Sequence, residues 1–259
     1  MQISDARTAY DKQDYEKALS VLQPLADHGD ASAQSMLGQM YCYGYGVPKD
    51  YSLAAQCWRK AADQGDGDAL YNLGRMYSYD LGGQRDDERA VEWFRKAADQ
   101  HGHVEAQHEL AVCYYFGSGV PKDYVIAVDW YLKAAEQGNA QCQCMLGQIY
   151  RNDHPGVPQD YVVAAKWYRK AAEQGHNDAQ LQLGSMHQSG RGVPKDYASA
   201  YMWFNLAACV GNEIAEDYRD KLEEKMHAEQ ISEAQRLSRE WNPGTKPGWS
   251  GDGRRSLTR

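Results

Sequence analysis

Apolar residues along this chain fall in pairs of helical stripes separated by glycine-containing turns. In residues 31–66, Ala33, Leu37 and Tyr41 stand at i, i+4 and i+8, with Met36 and Met40 beside them. That spacing predicts an amphipathic helix of about three turns. Gly44 and Gly46 end it, because glycine takes positive φ without a steric cost. Val47 plugs the turn and Pro48 forbids continuation of the helix. Asp50 reads as the N-cap of a second helix, its carboxylate accepting the first free backbone amides. Ala54, Cys57, Trp58, Ala61 and Ala62 give that helix its inward face, and Gly65 closes it before Asp66 caps the next. The predicted unit is a helical hairpin.

The same pattern is written five times. Leu37-Gly38, Leu73-Gly74, Leu110-Ala111, Leu146-Gly147 and Leu183-Gly184 mark successive first helices, and the period alternates between 36 and 37 residues. Ala61-Ala62, Ala97-Ala98, Ala134-Ala135, Ala171-Ala172 and Ala207-Ala208 repeat in step on the second helices. Small residues there let two helices approach closely, and aromatics fill the space between hairpins. Trp93, Trp130, Trp167 and Trp203 share one slot, held by Cys57 in the copy at 31–66. Gly119-Val120-Pro121, Gly156-Val157-Pro158 and Gly192-Val193-Pro194 repeat the turn, whereas Asp80-Leu81-Gly82-Gly83-Gln84 replaces it in the copy at 67–103.

A period of this length marks a solenoid, in which each unit buries its apolar face against its neighbours. The expected fold is all-α: an α/α superhelix of about six hairpins of 36–37 residues with C-terminal capping helices. Residues 5–30 read as a worn first copy, with full copies at 31–66, 67–103, 104–139, 140–177 and 178–212. Ile214, Tyr218 and Leu222, then Ile231, Ala234, Leu237 and Trp241, mark capping helices within 213–241. From 242 to 259 the composition turns to Gly, Pro, Ser and Arg without periodicity, which predicts a disordered tail.

Taken together, the words Ala-x-x-x-Leu-Gly-x-Met-Tyr, Gly-x-Gly-Val-Pro-x-Asp-Tyr and Trp-Tyr-x-Lys-Ala-Ala-Glu-Gln-Gly resemble the Sel1-like repeat family, a branch of the tetratricopeptide-type solenoids. The likeness spans roughly residues 5 to 240. The segment Met226 to Trp241 resembles the terminal helix of bacterial members. The resemblance implies a non-enzymatic adaptor that binds a protein or peptide partner in a concave groove, with no cofactor. The family also includes cysteine-rich members that bind penicillin, so a β-lactamase-like hydrolase or cell-wall binder is the alternative. A narrower form of the adaptor reading is a cytoplasmic inhibitor or immunity-type protein for a basic effector.

Composition and motifs weigh these readings. The net charge is −8, and Lys246, Arg254, Arg255 and Arg259 against Asp252 make the tail basic, so the repeat body is the more acidic part. An acidic body argues against nucleic acid, whose binding rests largely on phosphate neutralisation. No apolar run reaches the roughly 18 residues of a membrane span. The opening Met1 to Arg7 has no signal-peptide core, which points to the cytoplasm unless a leader has been removed. The six cysteines occupy different repeat slots, and only the copy with Cys42 and Cys57 carries one on each helix. Reduced, buried thiols are therefore expected rather than a disulfide ladder. No serine is followed three residues later by lysine, so the acyl-enzyme helix Ser-x-x-Lys is absent. His101, His103 and His108 form the one histidine cluster, and a solvated junction explains it better than a metal.

By analogy with tetratricopeptide-type arrays, the first helix of each hairpin lines the groove. The rows expected to be exposed are Ser32, Ser35, Gln39, Cys42 and Tyr43; then Asp68, Tyr71, Arg75, Ser78 and Tyr79; then Glu105, His108, Val112, Tyr115 and Phe116. Two further rows, including Cys144 and Leu181, contain no aromatic residue. The repeat framework gives no reason for exposed rings in only some copies. Tyr43, Tyr71, Arg75, Tyr79, Glu105, Tyr115 and Phe116 are therefore the expected partner-binding residues.

Overall fold

A computed structural model describes residues 2–83 and 85–241, so the expected tail lies outside the described residues. The chain divides at residues 123 and 124 into two compact units. The first holds α1 (Ile3–Asp11), α2 (Tyr15–Asp27), α3 (Ala31–Tyr43), α4 (Tyr51–Ala62), α5 (Gly67–Ser78), α6 (Asp87–His101) and α7 (Val104–Phe116). The second holds α8 (Tyr124–Glu136), α9 (Ala140–Arg151), α10 (Tyr161–Glu173), α11 (Asn177–Ser189), α12 (Tyr197–Cys209), α13 (Glu213–Glu223) and α14 (Ala228–Glu240). Among the described residues no strand forms, only an isolated bridge between His154 and Val157. No described helix is long and apolar enough to cross a membrane.

The local signals act within a few residues of themselves. Asp30, Asp50, Asp66, Asp86, Asp160 and Asp196 each sit at an N-cap and accept a backbone N–H from the first turn. Asp50 Oδ1, for example, takes the Leu53 amide at 2.9 Å. Gly44, Gly117 and Gly190 close α3, α7 and α11 in the left-handed conformation.

Two aromatic slots, one residue apart, divide the packing. Trp58, Phe94, Tyr168 and Phe204 lie across the hairpin on the glycine of the Leu-Gly pair. A Cβ on Gly38 would stand 2.5 Å from Trp58 Nε1, and one on Gly184 2.6 Å from Phe204 Cε1. That glycine exists so a ring can rest on the first helix. The slot of Cys57 and Trp93 looks the other way, onto the preceding hairpin. Cys57 packs against the cluster of Ala18, Leu22, Leu37 and Met40, and Trp93 against that of Ala54, Trp58 and Leu73.

The glycine before Val-Pro makes the contact between successive hairpins. Given a Cβ, Gly46 would meet Tyr15, Gly119 the backbone of Asp87, Gly156 the side chain of Val125 and Gly192 the carbonyl of Tyr161. Each of those partners starts the second helix of the hairpin before. The turn is therefore both the stop of its own helix and the foot by which its hairpin stands on the preceding one.

A chain of buried amides runs beside it. Gln34, Gln143 and Gln180 are almost fully buried near the start of first helices, and each donates to a carbonyl at the end of the preceding hairpin: Ala26 at 3.1 Å, Ala135 at 2.9 Å and Ala172 at 3.2 Å. The side-chain oxygens of Gln34 and Gln143 accept in turn from Gln64 at 2.9 Å and Gln174 at 2.7 Å, the glutamines that follow the double alanines. Leu70 holds the slot in the copy at 67–103. Gln143→Leu removes the donor to the Ala135 carbonyl and the shorter of two acceptors of Gln174, the other being the Lys170 carbonyl at 3.4 Å, and is expected to cost about 1–3 kcal/mol in urea unfolding.

The cysteines differ in access rather than in pairing. Cys42, Cys113, Cys142 and Cys144 are buried, Cys57 is half-buried and Cys209 is exposed. Burial pushes the thiols of Cys113 and Cys144 up to about 12. Thiol labelling of the native protein is expected to mark Cys209 first and the buried four slowest, with all six reacting after denaturation without reductant.

Candidate protein-docking surface

The seven expected residues all lie in the first unit, on or at the end of α3, α5 and α7. Tyr43, Tyr79, Phe116 and Glu105 are exposed, and Tyr71, Arg75 and Tyr115 are half-buried. Tyr79 keeps 54 % and Phe116 63 % of its surface, unusual for aromatic rings on a folded unit.

Arg75 ties the patch together. Its Nη1 donates to the Tyr43 hydroxyl at 3.2 Å, and its guanidinium carbon lies 5.8 Å from the Tyr71 ring centre and 5.6 Å from that of Tyr79. One cation on α5 thus holds rings from α3 and α5 in place. The Tyr79 hydroxyl reaches α7, donating to Glu109 at 3.3 Å. Burial, with Glu109 next, raises the Tyr71 phenol to about 12, and the same two causes raise Tyr79. Both phenols are therefore neutral donors at physiological pH. At the α7 end, Tyr115 and Phe116 meet edge to face at 4.9 Å.

His103 fixes the polar margin. It is the N-cap of α7, its Nδ1 accepting the Ala106 amide at 3.3 Å. That bond puts the proton on Nε2, which donates to Asp68 at 3.1 Å. The Asp68 carboxyl is held below the usual range by this bond, against the opposing effect of burial. The His103 ring also stacks on Tyr71 at 4.7 Å, and Glu105 lies 3.3 Å from Nδ1. His101, His103 and His108 do not converge: among the described residues no group of three or more possible ligands could hold a metal ion.

Several expectations need correction. Ser35 and Cys42, placed in the exposed row of α3, are buried, as are Cys144 on α9 and Leu181 on α11. A first helix is covered from both sides, by its own hairpin partner and by the neighbouring hairpins, so its buried arc is wider than one stripe. Arg75, expected either to pair with a partner's carboxylate or to stack on a ring, lies over the rings of Tyr71 and Tyr79 and donates to Tyr43 within its own chain. Two members were missed: Glu109, whose bond to Tyr79 spans 30 residues of sequence, and His103. A histidine directly before a first helix, repeated at His176, was the readable signal for the cap.

The repeat architecture has known relatives. The Sel1 repeat model matches residues 31–66, 67–101, 104–139, 140–176 and 177–212. A Sel1 repeat protein from Oxalobacter formigenes is similar over 82% of this chain and 86% of its own, at 33% identity and a TM-score of 0.75. The protective antigen c5321 of uropathogenic Escherichia coli, which displays the same repeat fold, is similar over 92% of this chain at 34% identity and a TM-score of 0.53. This chain spans 56% of that antigen. No curated protein matches the chain. The repeat matches cover well over half of the sequence, and this chain belongs to the Sel1 repeat family.

Proposed function

We propose that the protein is a non-enzymatic adaptor that binds a protein or peptide partner along the groove of α3, α5 and α7. Sel1 repeats in general mediate protein–protein interaction, and one observation supports this location. Exposed rings stand on three successive first helices: Arg75 and Glu109 hold those of α3 and α5, and Phe116 of α7 rests edge to face on Tyr115. Rigid aromatic side chains lose little entropy on binding and carry much of the energy at protein interfaces. Glu105 and Asp68 set an acidic margin, which with the net charge of −8 favours a basic partner over an acidic one. A cytoplasmic inhibitor of a basic effector is the narrow form of this reading.

The test is comparative capture. The intact chain and a Tyr79→Ala/Phe116→Ala variant are used as bait, and bound proteins are quantified by mass spectrometry. A partner held by the first and lost from the second supports the site. A partner set unchanged by the substitutions moves the binding surface elsewhere.

A further inference from the structure

Beside the aromatic patch, the first unit holds a polar cavity of about 180 Å³ between α1, α3 and α5. Asp11, at the end of α1, and Asp66 and Asp68, at the start of α5, bring three carboxylates to its wall. Arg7 is the one basic side chain among the lining residues, so negative charge is in excess. Asp66 uses one oxygen on the α5 cap, 2.8 Å from the Ala69 amide, and Asp68 one on His103. Each keeps a second oxygen able to accept.

The independent observation is Ser35. It lines the same cavity, is 5% exposed, and its Oγ makes no hydrogen bond. Its own carbonyl is engaged by Trp58 Nε1 at 3.1 Å. A buried hydroxyl without a partner is a standing cost, which a ligand donor or acceptor entering the cavity would remove. Tyr10 adds a ring to the wall, and rings favour cations over their faces. The cavity is also wired to the patch, since Asp68 bonds His103, whose ring stacks on Tyr71.

We propose that this cavity receives the ammonium or guanidinium group of a lysine or arginine side chain from the segment that docks on the aromatic patch. The assignment rests on the docking reading above and adds the chemistry of the partner: a basic residue for the cavity, with apolar residues to cover Tyr79 and Phe116. Asp11 and Asp68 would meet the positive charge, and the Ser35 hydroxyl, covered at the cavity wall, would turn toward the bound group to accept from it.

The experiment titrates ¹⁵N-labelled full-length protein with N-acetyl-arginine methylamide, and in parallel with the citrulline analogue, which has the same shape and no charge. The arginine probe is expected to shift the amides of Ser32, Ser35, Gln39 and Asp68, with the neutral analogue about tenfold weaker. Asp11→Asn with Asp68→Asn, which keeps an oxygen for His103, is expected to weaken the arginine probe about tenfold, and Ser35→Ala severalfold. Equal binding of the two probes, absent shifts, or unchanged affinity in the Asp11/Asp68 variant would overturn the proposal. The two readings fail separately. A captured partner that needs Tyr79 and Phe116 but tolerates the Asp11/Asp68 change leaves the docking surface standing without the cavity. Probe binding in the cavity with a partner set indifferent to Tyr79 and Phe116 does the reverse.

Discussion

Gly192→Ala is expected to destabilise the protein by about 3 kcal/mol or more, the sum of two separate penalties. The first is conformational. Gly192 sits at φ 70°, where an alanine loses roughly 1 kcal/mol relative to glycine. The second is steric: the added Cβ would run into the Tyr161 carbonyl, part of the first turn of α10. Backbone cannot swing aside as a flexible side chain can, so the turn between α11 and α12 must lift off its neighbour. Gly175→Ala separates the two terms. Gly175 has φ 85° and open space for 4 Å around the position an alanine Cβ would take, so it should lose only the conformational part. Urea unfolding of both variants, followed by tryptophan fluorescence, measures the difference. Equal losses would mean that the Gly-Val-Pro turn ends its helix without seating its hairpin on the preceding one.

That distinction marks how far the sequence could be read. Caps and stops were legible because Asp50, Gly44 and Pro48 act on backbone within a few residues of themselves. The hairpin, its period and the family followed from such local rules repeated in step. Contacts between helices were not legible, because their partners lie far along the chain or nothing local names them. Gly46 meets Tyr15, Gln34 meets Ala26 and Gln64, and Gly38 meets Trp58. Each recurs as a letter of the repeat, yet the letter does not say what it touches. The site shows the same limit. Exposed rings at Tyr79 and Phe116 could be found by subtracting the framework from the repeat, whereas Arg75 as the tie between Tyr43, Tyr71 and Tyr79 depends on two helices lying side by side. Ser35 and Cys42 went astray for the related reason that a helix covered on two sides buries more than its apolar stripe.

The subtraction gives the other large expected effect. Tyr79→Ala with Phe116→Ala should weaken partner binding by about 2 kcal/mol per ring, roughly thirtyfold each if both are central anchors. Stability should hardly change, because both rings are more than half exposed. Tyr79 gives up one hydrogen bond to Glu109 and its contact with Arg75, and Phe116 its edge contact with Tyr115. Surface losses of that kind cost a few tenths to about 1 kcal/mol. Tyr43→Phe refines the test by deleting the hydroxyl that accepts from Arg75 while keeping the ring. If the arginine serves to hold the rings in a binding-ready arrangement, this variant should bind about threefold to tenfold more weakly at an unchanged melting temperature. If Arg75 instead meets the partner directly, releasing it from Tyr43 should leave binding intact or improve it, while Arg75→Ala abolishes it. Melting curves taken beside the binding isotherms decide whether any loss belongs to the surface. A melting temperature that falls with binding would place Tyr79 and Phe116 in the framework and remove them from the docking site.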